Sequence, residues 1–287
     1  MNMDARTAYS IRCMENKDVP QSVALTDLMG WGLTEEDFAF NIGLEPGGCF
    51  VAVAEREQVV GVITSVAYGK VGWVGNVIVQ PQKRHSGIGA TLVNRALDHL
   101  TKKGVVTTGL YGYRNVVHFY EKLGFKASRP FSWMSCKSVS WRGEAAPSGE
   151  PRDIQAIVEL DKRCFSSPRQ KLLRGLLTSP AAVIRVALDQ GRLISFVMAS
   201  KFDETVEIGP WASTQGREKE GLQLFRSLGE ELSGLQAHVG VPSDRPDLIG
   251  FLSDLGFVEE FPVTRMYHGQ PLSDMGCTMA MESLERG

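Results

Sequence analysis

The sequence predicts a mixed α/β fold laid down twice in tandem, and three observations carry that reading. Strand-like and helix-like apolar patterns alternate along the chain, which is the pattern of helices threading a mainly antiparallel, partly parallel sheet. The chain also matches itself at an offset of 132 residues: Phe119-Tyr120-Glu121-Lys122-Leu123-Gly124-Phe125 falls on Phe251-Leu252-Ser253-Asp254-Leu255-Gly256-Phe257, and Gln58, Val62, Leu92 and Met134 fall without a gap on Gln190, Ile194, Leu224 and Met266. Between the copies lies Arg142-Gly143-Glu144-Ala145-Ala146-Pro147-Ser148-Gly149-Glu150-Pro151, a small-residue, Pro- and Gly-bearing linker. The expected domains are residues 1–140 and 151–287, and 287 residues are enough for each to bury its own core.

In the first copy, β-branched and apolar runs predict strands at Tyr9–Met14, Cys49–Ala54, Val59–Ala67, Val71–Val79, Val105–Tyr111 and Phe125–Met134. Helical spacing predicts helices at Val19–Met29, Glu35–Ile42, Gly87–Lys103 and Val116–Leu123. The second copy repeats the order more loosely. Strands are expected near Val183–Leu188, Arg192–Ser200 and Val206–Trp211, helices near Ile154–Phe165 and Leu222–Leu232, and a closing strand in the tail Gly276–Leu284.

Composition narrows the function class. Apolar residues at 43% and charged residues at 22% describe an ordinary globular chain, and no apolar run approaches the length of a membrane span. The polar start Met1-Asn2-Met3-Asp4-Ala5-Arg6 lacks a signal core, so a cytoplasmic protein is expected. Net charge is −2 and the basic residues form no run, which removes the usual footprint of nucleic-acid binding. Five scattered cysteines (Cys13, Cys49, Cys136, Cys164, Cys277) with no Cys-x-x-Cys pair argue against a disulfide framework and a zinc site, and no metal is expected.

The chemistry is concentrated in one segment. Val77, Ile78 and Val79 end an apolar strand; Pro81 breaks it; then Arg84-His85-Ser86-Gly87-Ile88-Gly89-Ala90 turns directly into an amphipathic helix. A helix N-terminus offers N–H groups without intrahelical partners and a positive dipole, so bare glycine backbone beside an Arg suits a pyrophosphate. Arg-x-x-Gly-x-Gly fits neither the nucleotide-hydrolase loop nor the three-glycine dinucleotide turn. It resembles the acyl-CoA loop of the GNAT acetyltransferase superfamily, in which Gln/Arg-x-x-Gly-x-Gly/Ala follows a strand ending Val-x-Pro, here Val79 and Pro81.

That resemblance implies two tandem GNAT-like domains using acetyl-CoA, with Val77, Ile78 and Val79 offering main-chain groups to the pantetheine amides and residues 84–90 holding the phosphates. Tyr120-x-x-Leu-Gly-Phe resembles the second family motif, whose tyrosine donates a proton toward the cofactor sulfur; a phenol with a pKa near 10 is protonated at neutral pH. The asparagine that often bonds the pantetheine arm is replaced by Tyr113, and Asn115 is the nearby substitute. No general base announces itself: the strand before the loop carries no carboxylate, and Glu35, Glu36 and Asp37 are possible bases or a solvated helix face. At the repeat offset Gly87 becomes Lys219 and Tyr120 becomes Leu252, so the second copy is expected to be degenerate, with a role in packing, in closing the acceptor side or in forming a homodimer; Glu207, Trp211 and Arg265 lie where it could face substrate. The expected reaction is direct transfer of acetyl to a primary amine of a small molecule. An acyl-CoA sensor without turnover and a protein or peptide acetyltransferase are the alternatives.

Overall fold

The computed structural model describes residues 9–272 and 276–287. The chain forms two compact units, one through Leu110 together with Arg286, the other from Tyr111 to Glu285 together with Gly287.

The first unit runs β1 (Ser10–Cys13), α1 (Val19–Asp27), α2 (Glu35–Leu44), β2 (Phe50–Val53), β3 (Val59–Tyr68), β4 (Val71–Val79), α3 (Ile88–Lys102) and the start of β5 (Thr107–Tyr113). Its sheet order is β1-β2-β3-β4-β5, antiparallel as far as β4, with β4 and β5 parallel. Thr34 and Asp37 close a capping box at the start of α2, each side chain meeting the other's backbone N–H. One core lies around Phe38, Val51, Val62 and Ile78. On α3, Ile88, Leu92, Val93, Ala96 and Leu100 are buried, the stripe that helical spacing required. The helix can come this close because β3 has Gly61, where a Cβ would stand 3.0–3.1 Å from Leu92 and Ile88.

The second unit contains the end of β5, then α4 (Val117–Glu121), β6 (Lys126–Cys136), α5 (Ile154–Phe165), α6 (Gln170–Thr178), β7 (Ala182–Asp189), β8 (Arg192–Phe202), β9 (Thr205–Ser213), α7 (Glu218–Arg226), β10 (Gln236–Pro242), α8 (Pro246–Asp254), β11 (Val258–Gly269) and β12 (Thr278–Ala280). Its strands lie in the order β11-β6-β10-β9-β8-β7, with β12 on β9, and the pairs are antiparallel except β9 with β10. Chain order would set β6 beside β5 and β11 beside β10. The two closing strands trade places instead: β6 pairs with β10, and β11 pairs with β6 from Val258↔Ser135 to Tyr267↔Lys126 and neighbours β5 on its other side.

The repeat survives in detail where it was strongest. Gly124 and Gly256 both adopt φ +89°, and Phe125 N–H donates to Tyr120 O at 3.1 Å just as Phe257 N–H donates to Leu252 O at 3.0 Å. The alternation of strands and helices follows the expected order, but α6, β10, α8 and β11 are additional to the elements read from the second copy. The seventh helix begins at Glu218 rather than near Leu222, because polar residues before the apolar stripe extend it. One expectation is overturned: Cys164 and Cys277 form a disulfide across 113 residues of sequence, their Cα atoms 5.3 Å apart. Spacing could not show this, because the last turn of α5 and the strand-like tail meet only in the fold.

Candidate active site

In the first unit, β4 pairs with β5 only at Val71↔Thr107, Gly72↔Thr108 and Trp73↔Gly109. Beyond Trp73 that edge of β4 has no strand partner among the described residues, which leaves the main chain of Gly75–Val79 accessible to a ligand that pairs like a peptide. Val77 and Val79 are half-buried and Ile78 is core. Sequence reasoning missed Asn76. It bulges out of register with β3, adopts φ +52°, is buried, and donates from Nδ2 to Thr64 Oγ1 at 3.3 Å. A left-handed non-glycine residue costs about 1–3 kcal/mol and is retained where the surroundings impose it. A Gly-Asn pair inside an apolar strand was the available signal.

The turn that follows leaves its backbone donors uncommitted. His85 (φ +63°) and Gly87 (φ +88°) are left-handed, and Gly87 caps α3. A Cβ at Gly87 would meet nothing within 4 Å, but the backbone angle disfavours any side chain there. Ser86 Oγ donates to Lys83 O at 2.5 Å, while Thr91 donates to Gly87 O from both N–H and Oγ1 at 3.0 Å. Among the described residues, the backbone N–H groups of Ser86, Gly87, Ile88, Gly89 and Ala90 make no hydrogen bond, and the first turn of α3 has no acidic residue. Arg84 is oriented differently from the expectation of free charge at the loop: its Nε donates to Val79 O at 3.2 Å and its Nη2 lies 3.1 Å from Met29 Sδ. The donors presented here are therefore backbone. A pyrophosphate-bearing cofactor fits this set, because its oxygens would occupy N–H groups that have no other partner.

Tyr120 and Asn115 belong to the second unit. Tyr120, 7% exposed on α4, packs against Phe119 at 5.0 Å and Phe125 at 5.8 Å between ring centroids, and its hydroxyl has no hydrogen-bond partner among the described residues. Burial, with a smaller contribution from Tyr113, pushes its pKa up, so the phenol stays protonated across the physiological range. Asn115 is exposed in the turn before α4. Of the possible bases, Asp37 is engaged in the capping box and Glu35 and Glu36 are exposed. Trp211 is core, and Arg265 lies over the rings of Phe131 and Tyr267 at 5.2 and 5.5 Å.

The corresponding features of the second copy are filled by the chain itself. The helix equivalent to α3 is α7, whose N-cap is Arg217, two residues before the position the constant offset indicates. Its first turn carries Glu218 and Glu220, and Gly216 N–H donates to Glu218 Oε1 at 2.9 Å. β9 and β10 pair only at Thr205–Glu207, and where they diverge the tail enters: Ser213 N–H donates to Cys277 O at 3.0 Å, β12 pairs with β9, and Met281 N–H donates to Gly240 O at 2.9 Å.

A helix terminus with unpartnered backbone donors beside an open strand edge, on a mixed sheet whose pattern repeats along the chain, is the architecture of a tandem acyltransferase fold. Comparison with known proteins agrees. A model described as "Acetyltransferase (GNAT) family" matches residues 18–125 and one described as "Acetyltransferase (GNAT) domain" matches residues 157–277, so the chain belongs to the GNAT acyltransferase superfamily as a tandem member. It is 24% identical over 279 residues to a holothin acyltransferase of Pseudoalteromonas sp. (strain SANK 73390), covering 96% of this chain and 92% of that protein. Among solved structures it resembles a putative acetyltransferase from Pyrococcus horikoshii (TM-score 0.82, 18% identity, 100% of this chain and 98% of that one). It also resembles a tandem GNAT protein from the clavulanic acid biosynthesis pathway (TM-score 0.65, 15% identity, 93% and 100%). No helix among the described residues is long and apolar enough to cross a membrane.

Proposed function

We propose that this protein transfers an acetyl group from acetyl-CoA to a primary amine of a small molecule, directly, in a ternary complex. The observation that carries the reading is the contrast at the two helix starts: five backbone donors without partners at α3, and a carboxylate already accepting the equivalent donor at α7. We assign the cofactor and the chemistry to the first repeat, residues 1–140. The second, residues 151–287, serves packing and the acceptor side. Residues 84–90 would hold the phosphates, Val77–Val79 the pantetheine amides and Asn115 the arm. Bound acetyl-CoA supplies a thioester as acyl donor. The Tyr120 hydroxyl, kept protonated by burial, gives its proton to the departing sulfur as the new C–N bond replaces C–S.

A covalent route through either buried thiol, Cys49 or Cys136, is disfavoured. The Cys49 thiol is pushed up to about 12 by burial, and Cys136 is buried and directs its sulfur at the carbonyls of Ser138 and Leu255. A small-molecule acceptor accords with the activity for which the holothin acyltransferase is named and with the biosynthetic pathway of the tandem GNAT protein. Release of free CoA thiol, followed against a panel of small amines and of peptides, tests the reading: release with small amines supports it, release with peptides alone selects a protein acetyltransferase, and CoA binding without release selects a sensor.

A further inference from the structure

We propose, resting on the cofactor assignment above, that Arg84 determines which thioesters the open edge of β4 accepts. Its guanidinium competes with the ligand's amide arm for Val79 O, and it yields that oxygen to a ligand that also carries a diphosphate.

The alternation of β4 identifies the contested group. Gln80 N–H donates to Val60 O at 2.8 Å, toward β3, so the main-chain groups of Val79, one residue earlier, point the other way, to the open edge. Val79 O is therefore an acceptor that a ligand pairing with this edge in the manner of a peptide would use. Arg84 reaches back five residues and uses it already, donating from Nε at 3.2 Å. The chain thus sets an N–H donor of its own against the oxygen that a pantetheine amide would need.

Arg84 has reason to exchange this bond for another. The side chain is exposed, and its two contacts are a carbonyl and a thioether, neither of which brings a countercharge. A guanidinium matches a phosphate with two parallel N–H bonds, a stronger pairing than one bond to a carbonyl. The unpartnered backbone N–H groups at Ser86 to Ala90 begin two residues after Arg84, so an anion held by them lies in the same loop. A ligand with a diphosphate offers Arg84 that partner while its amide takes Val79 O. An uncharged arm offers nothing in return and has to displace the guanidinium outright.

The same side chain connects the loop to the segment between α1 and α2. Arg84 Nη2 lies 3.1 Å from Met29 Sδ, so a guanidinium that leaves Val79 O for an anion leaves Met29 as well. Met29 and Leu28 are exposed, and Gly30 and Gly32 adopt φ +69° and +63° on either side of Trp31. Trp31 N–H donates to Thr26 O at 3.1 Å, and its side chain packs against the core around Phe38. Trp31, two residues from Met29, is placed to report the exchange.

The test compares CoA with pantetheine, which has the amide arm and the thiol but no diphosphate, on the full-length protein. CoA is titrated by calorimetry and pantetheine by displacement with CoA. Arg84→Met keeps the stem of an exposed side chain and removes its donors. It should bind pantetheine about threefold more tightly and CoA about threefold more weakly, so that the preference for CoA narrows about tenfold. Trp31 emission, assigned with Trp31→Phe, should shift on adding CoA but not pantetheine, and Arg84→Met should lose the shift. Weaker CoA with unchanged pantetheine would make Arg84 a phosphate ligand only and overturn the proposal. Unchanged affinities for both, or an equal emission shift with both ligands, would overturn it as well. Failure of the unaltered protein to bind CoA at all would sink the cofactor assignment itself and this proposal with it.

Discussion

The N-termini of α3 and α7 occupy equivalent places in the two repeats and have opposite chemistry. At α3 the cap is a left-handed glycine, the first turn is uncharged apart from its backbone dipole, and five N–H groups are unused. At α7 the cap is Arg217, which pairs with Asp189 and, at 2.6 Å, with Glu220, while Glu218 takes the Gly216 N–H. The strand edges differ in the same sense. The edge of β4 is open beyond Trp73, whereas the divergence of β9 and β10 is filled by residues 277–281 pairing as a peptide. Gly209 and Gly240 make room for this, since a Cβ on either would collide with Met281. On the proposed assignment the two copies differ by more than two residues: the second has its own carboxylate and its own strand where phosphates and amides would lie in the first.

The largest effect should come from Tyr120→Phe, which removes the proposed proton donor, a hydroxyl that the second repeat lacks at Leu252. Turnover should fall about 10²- to 10⁴-fold with the dissociation constant of CoA unchanged by calorimetry. Unchanged turnover would remove Tyr120 from the chemistry and leave the two repeats distinguished by binding alone.

Next comes the loop. Gly87→Val forces a β-branched residue to φ +88° and places methyl groups where phosphate oxygens would approach. CoA affinity should drop about a hundredfold, and the stoichiometry in the unaltered protein should be one CoA per chain. Two per chain, or retained affinity in the variant, would refute the claim that only α3 binds.

These features were unequally legible in the amino-acid sequence. Residues 77–90 were readable because strand end, proline break, glycine turn and amphipathic helix are all local. The turns at Gly124 and Gly256 were readable because the duplication preserved them. Strand exchange between β6 and β11 was not, since both strands carry compatible alternation and pairing is decided by distant chain. Nor was the tail's role: Thr278–Ala280 is too short to have a pattern, and its partner strand lies more than sixty residues earlier. Asn76 and the orientation of Arg84 were hidden for a related reason, as backbone angle and side-chain direction are imposed by the neighbours Thr64, Val79 and Met29.

If the second cleft is closed by core-like packing, the two clefts should also differ in what truncation costs. Met281 is 2% exposed and packs with Phe131 and Val263, so Met281→Ala should lower the urea-derived unfolding free energy by about 2–3 kcal/mol. Val77 sits half-buried at the open edge, and Val77→Ala should cost about 1 kcal/mol. Equal costs would mean that the tail lies on the second cleft without filling it.

The smallest expected difference concerns how α3 is held from behind. Glu45, just after α2, is buried and accepts from Lys103 Nζ at 2.9 Å, lies 3.2 Å from His99 Nε2, and accepts from Ala67 N–H at 3.2 Å. Burial alone would raise its pKa, but the hydrogen bonds from Lys103, His99 and Ala67 outweigh that and hold the carboxyl below the usual range. A depressed folded pKa means that the carboxylate's contribution is fully present above the unfolded value near 4.3 and is lost as pH falls through the folded one. Glu45→Gln should therefore cost on the order of 1 kcal/mol at pH 7, since Lys103 is half exposed and its bond is weakened by water. Urea unfolding at pH 7, 5, 4 and 3 should show the gap between the two proteins narrowing only below about pH 4.3. A gap that stays constant down to pH 3 would mean that Glu45 fixes α3 through shape and neutral hydrogen bonding, and that the anchoring of this helix does not depend on its charge.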